Sequence, residues 1–307
     1  MPSIKKPAIS KKIVIICLAI ILSAILAGNF WRFSGSDPDA VRAVSLYTEI
    51  LKTTDIIGLS YTSLTTTLGN YAAKKVSEDP LTAALMVRLL KDANVSSNSV
   101  IAINASGSFP GFTLAALSAC AALGLETYAI ASIGASTYGA NIPGNTIADM
   151  LVSENVRRLG FTLLAVTPGG SFDRGMELDP DELERISAML DRQGISFKRP
   201  ADLMEAINIR ESLFNNVGST LLVNIGGTHA SSGENYDLAL MSGIIMPNKE
   251  NPFEDPGLIQ SFLNQGIPVI QILNVRGLYS SYGLEFDQAG KLLGDNKKRL
   301  LTIFRNS

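Results

Sequence analysis

At 307 residues and 46% hydrophobic content, the chain is long enough to bury a large core, as one α/β domain or two. The net charge of −2 is unevenly spread: residues 1–36 hold Lys5, Lys6, Lys11, Lys12 and Arg32 and no acid, which leaves 21 bases against 28 acids in the remainder. That acidic body argues against nonspecific nucleic-acid binding, which replaces phosphate counterions with many basic side chains, and two cysteines, Cys17 and Cys120, exclude a disulfide framework.

In chain order, the four lysines precede an uncharged run from Ile13 through Trp31. It suits a spanning helix of roughly 17 to 20 residues with Phe30 and Trp31 at the interface. Ile25 lies two before Ala27 and Leu26 two before Gly28, so a small-x-small cleavage site is missing and the run reads as an uncleaved signal anchor. The lysines hold the N-terminus in the cytoplasm. The expected organisation is a basic tail over 1–12, a transmembrane anchor over 13–31, a stalk helix over 32–54 and an extracytoplasmic α/β domain over 55–307. Asp37-Pro38-Asp39 opens the stalk helix, which carries Val41, Val44, Leu46 and Ile50 at helical spacing. A Ser/Thr-rich stretch, 55–75, has no recognised motif, and Glu78-Asp79-Pro80 starts a helix over 81–93.

The organising stretch is 99–111 followed by the apolar run 112–123: strand, tight turn, helix. Pro110 suits a first helical turn and Gly107 the turn before it. The grammar recurs at 126–133 into GASTYGANIPG with a helix over 145–159, at 161–166 into TPGGSFDRG, and at 219–225 into GGTHASSG. A helix over 179–192, a short strand at 195–198, a helix over 201–215, a helix over 256–265, a strand at 268–273 and a Gly/Tyr-rich passage at 275–283 complete the chain. The pattern predicts an α/β fold, a mostly parallel sheet with helices on both faces, whose four Ser/Gly turns converge on the carboxyl edge where open sheets bind ligands.

No Walker loop, HExxH or paired CxxC occurs, so neither a cofactor nor a zinc site is expected, although carboxylate sites for hard cations stay open. The single histidine, His229, sits in the fourth turn. A serine hydrolase here would use Ser108 as nucleophile, His229 as base and Asp173, Asp149 or Asp237 as acid, although Ser-Gly-Ser-Phe-Pro-Gly does not match the nucleophile-elbow pattern. Arg174 either grips a ligand carboxylate in two-pronged fashion or pairs with Asp173. The remaining ligand-binding candidates are Ser106, Gly107, Asn141, Gly170, Ser171, Gly227 and Thr228. Asn145 reads as a helix cap, and the basic pairs Lys74-Lys75, Arg157-Arg158 and Lys198-Arg199 read as solvated surface.

The basic anchor followed by SLTTTLGNYAAKKVSEDP, NASGSFPGFTLAALSAC, SIGASTYGANIPGNTIADM, TPGGSFDRG and NIGGTHASSG resembles the bacterial poly-gamma-glutamate system protein family, over nearly the whole chain. The resemblance implies a membrane-anchored accessory of poly-γ-glutamate capsule or slime production, with the polymer and the membrane proteins of its synthase and export complex as partners. It supplies no reaction and no catalytic residues. Two readings follow: a noncatalytic subunit that binds glutamyl carboxylates through Arg174 and helix-terminal amides, or a hydrolase or transpeptidase working through an acyl-enzyme at Ser108.

Overall fold

The computed structural model describes residues 35–233, 236–247, 257–294 and 299–302. The expected basic tail and anchor lie outside them, and among the described residues no helix is long and apolar enough to cross a membrane. The chain divides into two units, Met1–Asp37 with Leu301–Ser307, and Pro38–Leu300. In the first, Ser36 and Thr302 form an antiparallel bridge and Asp37 N donates to Leu301 O at 2.8 Å.

The second unit is built on seven strands: β1 (Val100–Ser106), β2 (Glu126–Ser132), β3 (Thr162–Thr167), β4 (Ser196–Phe197), β5 (Leu221–Ile225), β6 (Gly243–Ile245) and β7 (Val269–Ile272). They hydrogen-bond in the order β6-β7-β5-β1-β2-β3-β4. Every neighbouring pair is parallel except β6 and β7. The apolar strands of the centre, VIAINAS and LLVNI, are buried on both faces, as a parallel sheet between helical layers requires.

Around the sheet run the helices α1 (Pro38–Leu51), α2 (Leu81–Asp92), α3 (Pro110–Leu123), α4 (Ile147–Val152), α5 (Pro180–Asp191), α6 (Leu203–Asn216), α7 (His229–Ser232), α8 (Leu258–Asn264) and α9 (Val275–Ser281). Alternation along the strands divides their packing between two layers. Ala102, Ile130, Leu222 and Val269 pack under Phe214 of α6 and Phe262 of α8, whose rings meet edge to face at 6.2 Å. On the other side Val166 packs with Leu183, Ile186 and Leu190 of α5. Helix α3 is apolar all round and almost wholly buried, begins with Pro110 and ends at Gly124 with φ +68°, so its burial follows from composition.

Three local expectations change. Helix α1 is not a stalk standing off the domain: Ala40, Ala43, Tyr47 and Ile50 are buried, it packs on α2 and α3, and Tyr47 Oη donates to Ser77 O at 2.8 Å. The single helix expected over 145–159 is a hairpin, Asn141–Ile142 against Asn145–Thr146, followed by α4 and a second short helix, Glu154–Arg157. The cause is Thr146, which forms a reciprocal capping box with Asp149, and Ser153, whose extended backbone breaks the helix. Asn145 caps nothing and donates to Asp55 O at 2.9 Å.

Candidate functional site

From β1 the sheet grows through β2 and β3 to β4, and the chain then returns to β5 on the other side of β1. The β1/β5 boundary is therefore a topological switch point, where the crevice of a doubly wound sheet opens. The four Ser/Gly turns abut there. A Cβ on Gly226, which has φ +99°, would collide with Ser106 Oγ, one on Gly107 with the Ile133 carbonyl, and one on Gly134 would lie 2.7 Å from Gly170 N. Glycine is needed at Gly134 for this close approach of backbones rather than for a turn.

No hydrogen bond joins Ser108, His229 and Asp173. His229 Nδ1 accepts from Phe172 N at 3.2 Å, and its ring stacks on Phe172 at 5.2 Å. A triad histidine instead donates from Nδ1 to its acid. Asp173 is fully buried, its Oδ2 accepting from Arg210 at 2.7 Å and its Oδ1 from Thr167 Oγ1 at 2.9 Å. Asp149 is consumed by the α4 cap and by Arg185 at 2.8 Å, and Asp237 is exposed on a short helix, Tyr236–Leu240.

Sequence reasoning missed Arg210. It projects from α6 onto the sheet with no solvent exposure and donates to Asn104 Oδ1 at 3.1 Å, Ser132 Oγ and Thr167 Oγ1 at 2.8 Å each, and Asp173. Asn104 donates to Asn224 Oδ1 at 2.7 Å and Asn224 to Gln271 Oε1 at 2.6 Å, so one polar row crosses β7, β5, β1, β2 and β3. It ends at Gln271 Nε2, which is buried without a partner. Phe172 and Asp173 both have positive φ, 53° and 64°. This costly backbone is held by the His229 contact on one residue and by Arg210 on the other. The available signal was a charge inside the apolar stripe Ile207–Arg210–Phe214 of α6.

Lys74 corrects the solvated-surface reading. It is 1% exposed, and Nζ donates to Ser108 O and, at 2.7 Å, to Ser136 Oγ, while lying 4.2 Å from the Phe109 ring centroid. Ser108 Oγ in turn accepts from Ser136 N at 3.0 Å. No carboxylate pairs with Lys74 among the described residues, and burial pulls its amine down to about 7. Nothing in two adjacent lysines shows which one the fold buries.

No protein-family model and no curated protein matches this chain. Among solved structures it is similar to a hydrogen sulfide-producing enzyme from Fusobacterium nucleatum, at 12% identity over 58% of this chain and 56% of that one, TM-score 0.21. It is also similar to O-ureido-L-serine synthase, at 16% over 58% and 54%, TM-score 0.21, and to Escherichia coli diaminopropionate ammonia lyase, at 12% over 62% and 56%, TM-score 0.20. The chain spans about half the length of these proteins, and likeness at these scores says nothing of its activity or ligands.

The remaining ligand candidates separate by exposure. Asn141 is fully buried and acts as a tie: it accepts from Leu59 N at 2.9 Å and donates to Leu59 O at 2.8 Å and Thr65 Oγ1 at 2.9 Å. Ser106 and Gly107 are buried, Ser106 Oγ accepting from Ser108 N at 3.3 Å. Thr228 caps α7 and Ser171 N donates to Glu177 Oε1 at 2.6 Å; Gly170 is half-buried and Gly227 exposed. Arg174 is exposed, and its guanidinium has no partner among the described residues because Asp173 is engaged by Arg210. Among the described residues no cluster of three His, Cys, Asp or Glu is placed to hold a metal ion. This edge therefore offers an open cation, Arg174, beside an exposed aromatic pair, Phe172 and His229, a combination that can hold a carboxylate on a flexible chain.

Proposed function

We propose that this chain is a membrane-anchored accessory protein of poly-γ-glutamate biosynthesis or export, which binds glutamyl carboxylates at the carboxyl edge of its sheet, outside the cytoplasm. One observation supports the binding role above the others. Arg174 is left exposed and unpaired among the described residues on a turn that carries part of the family resemblance, while its neighbour Asp173 is drawn inward by Arg210. The acidic body, 21 bases against 28 acids beyond residue 36, favours a short segment or chain end over a long polyanion, which would meet repulsion away from that edge.

The test is equilibrium binding of the full-length protein, in mild detergent, to poly-γ-glutamate and to α-linked polyglutamate of equal length. Saturable preference for the γ-linked polymer, weakened on the order of tenfold or more in Arg174→Gln as a charged hydrogen bond is lost, is the expected outcome. Equal binding of both polymers, or no effect of the substitution, refutes it.

A further inference from the structure

We propose that Ser136 is an acyl-accepting nucleophile and Lys74 its general base, a serine–lysine pair seated where the turns after β1 and β2 meet. The surroundings of the amine carry this assignment. Nζ faces the Ser108 carbonyl oxygen, the face of the Phe109 ring and Ser136 Oγ. A carbonyl oxygen and an aromatic face only accept, whereas a hydroxyl both donates and accepts. An ammonium donates one N–H to each of the three, whereas the neutral amine keeps the carbonyl and the ring and turns its lone pair to the Ser136 O–H, so the Nζ–Oγ contact at 2.7 Å survives loss of the proton with its direction reversed. An ammonium in the same place meets no carboxylate among the described residues, the expensive state for a buried charge.

The titratable side chains on the elements around it are engaged with one another. Tyr71 and Tyr138 stack edge to face at 5.1 Å, and Lys75 pairs with Glu78. Burial brings the amine to about 7, so free base is abundant at neutral pH. Ser136 lies just beneath the surface: it is 5% exposed, flanked by half-buried Ser108 and by half-buried Gly69, where a Cβ would come within 2.8 Å of Ser136 Oγ.

In the reaction, Ser136 Oγ attacks an amide carbonyl carbon while Lys74 Nζ takes the hydroxyl proton. Collapse of the adduct breaks the C–N bond, the departing amine carries off the proton from Lys74, and an acyl ester remains on Ser136. Water or a second amine then attacks the ester; Lys74 takes its proton and passes it to the released Ser136 Oγ. That the amide is a γ-glutamyl bond rests on the function proposed above, but the nucleophile and base do not.

The experiment treats full-length protein in mild detergent with a fluorophosphonate, which traps activated serine hydroxyls, and maps the adduct by peptide mass spectrometry beside the polymer-binding assay. The expected result is an adduct on Ser136 whose rate rises about tenfold from pH 6 to pH 8, following the free-base fraction of the amine. Ser136→Ala abolishes it. Lys74→Met and Lys74→Arg, the second retaining length and charge, each slow it on the order of a hundredfold or more, with folding verified by circular dichroism; if Lys74→Met does not fold, Lys74→Arg decides. An adduct elsewhere, no adduct on folded wild-type protein, or wild-type labelling in the folded lysine variants overturns the assignment. Polymer binding without the adduct removes the nucleophile alone, and the adduct without polymer binding removes the polymer alone.

Discussion

Replacing Lys74 by Met should change how stability depends on pH, by an amount set by the burial of the amine. In the unfolded chain this lysine keeps a proton up to its ordinary value of 10.5, whereas in the folded protein it releases the proton at about 7. Between those values the unfolded state binds more protons, so stability rises with pH; below about 7 both states are protonated and the penalty is full and constant. From pH 7 to pH 9 the gain is about 2 kcal/mol, equivalent to about 4 °C in midpoint for a unit of this size. Cys120, which burial pushes up to about 12, opposes the trend at the alkaline end, so the quantity to read is wild type minus Lys74→Met. Thermal unfolding of full-length protein in mild detergent, followed by circular dichroism at pH 6, 7, 8 and 9, measures it. Parallel midpoints for the two proteins across pH 7 to 9 would refute the claim that the fold holds this lysine as a depressed, unpaired amine.

Other substitutions probe the remaining features. Arg210→Met should destabilise by about 3 to 5 kcal/mol, because Asp173 is left as a buried, uncompensated charge, and Arg210→Met with Asp173→Leu should recover part of the loss; urea titration distinguishes the two. Gly134→Ala should cost about 1 to 3 kcal/mol, since its Cβ would press on the Gly170 backbone at 2.7 Å, again read by urea titration. Thr146→Ala should lose about 1 kcal/mol with the α4 cap and leave the polymer binding proposed for Arg174 unchanged in the same equilibrium assay.

The sheet was legible because its strands are self-announcing. A run such as Val100-Ile101-Ala102-Ile103, closed by Ser and Gly and followed by Pro110 and an apolar helix, has few other uses in a chain of this size. The boundary residues of β1, β2, β3 and β5 were within reach for the same reason. Strand β6 was not: three residues, Gly243-Ile244-Ile245, carry no periodicity, and pairing with β7 defines them. Of the candidate site, the meeting of the turns was legible and the pairing of their side chains was not. Sequence grammar brings the four turns to one edge, but Asp173 turns away from His229 because Arg210, some 37 residues later in the chain, offers it a buried partner. Lys74 and Lys75 look alike in sequence, and only the packing of Ser108, Phe109 and Ser136 distinguishes them. Long-range polar partners leave little trace in the segments they join, and they account for the misreading of Asp173 and Lys74.

The polar row through Arg210 has a consequence for how the chain finds its structure. Because side chains alternate along a strand, a slip of one residue in β1, β2 or β3 would swing Asn104, Ser132 or Thr167 to the opposite face of the sheet. Arg210 would then be sealed in with its hydrogen bond to that strand unmade. Apolar neighbours such as Ile103 and Ala105 tolerate such a slip far better than this row does. The row therefore acts as a proofreader: helix α6 covers the sheet with all of Arg210's hydrogen bonds made only when three strands, contributed by segments up to 63 residues apart between Asn104 and Thr167, share a single alignment.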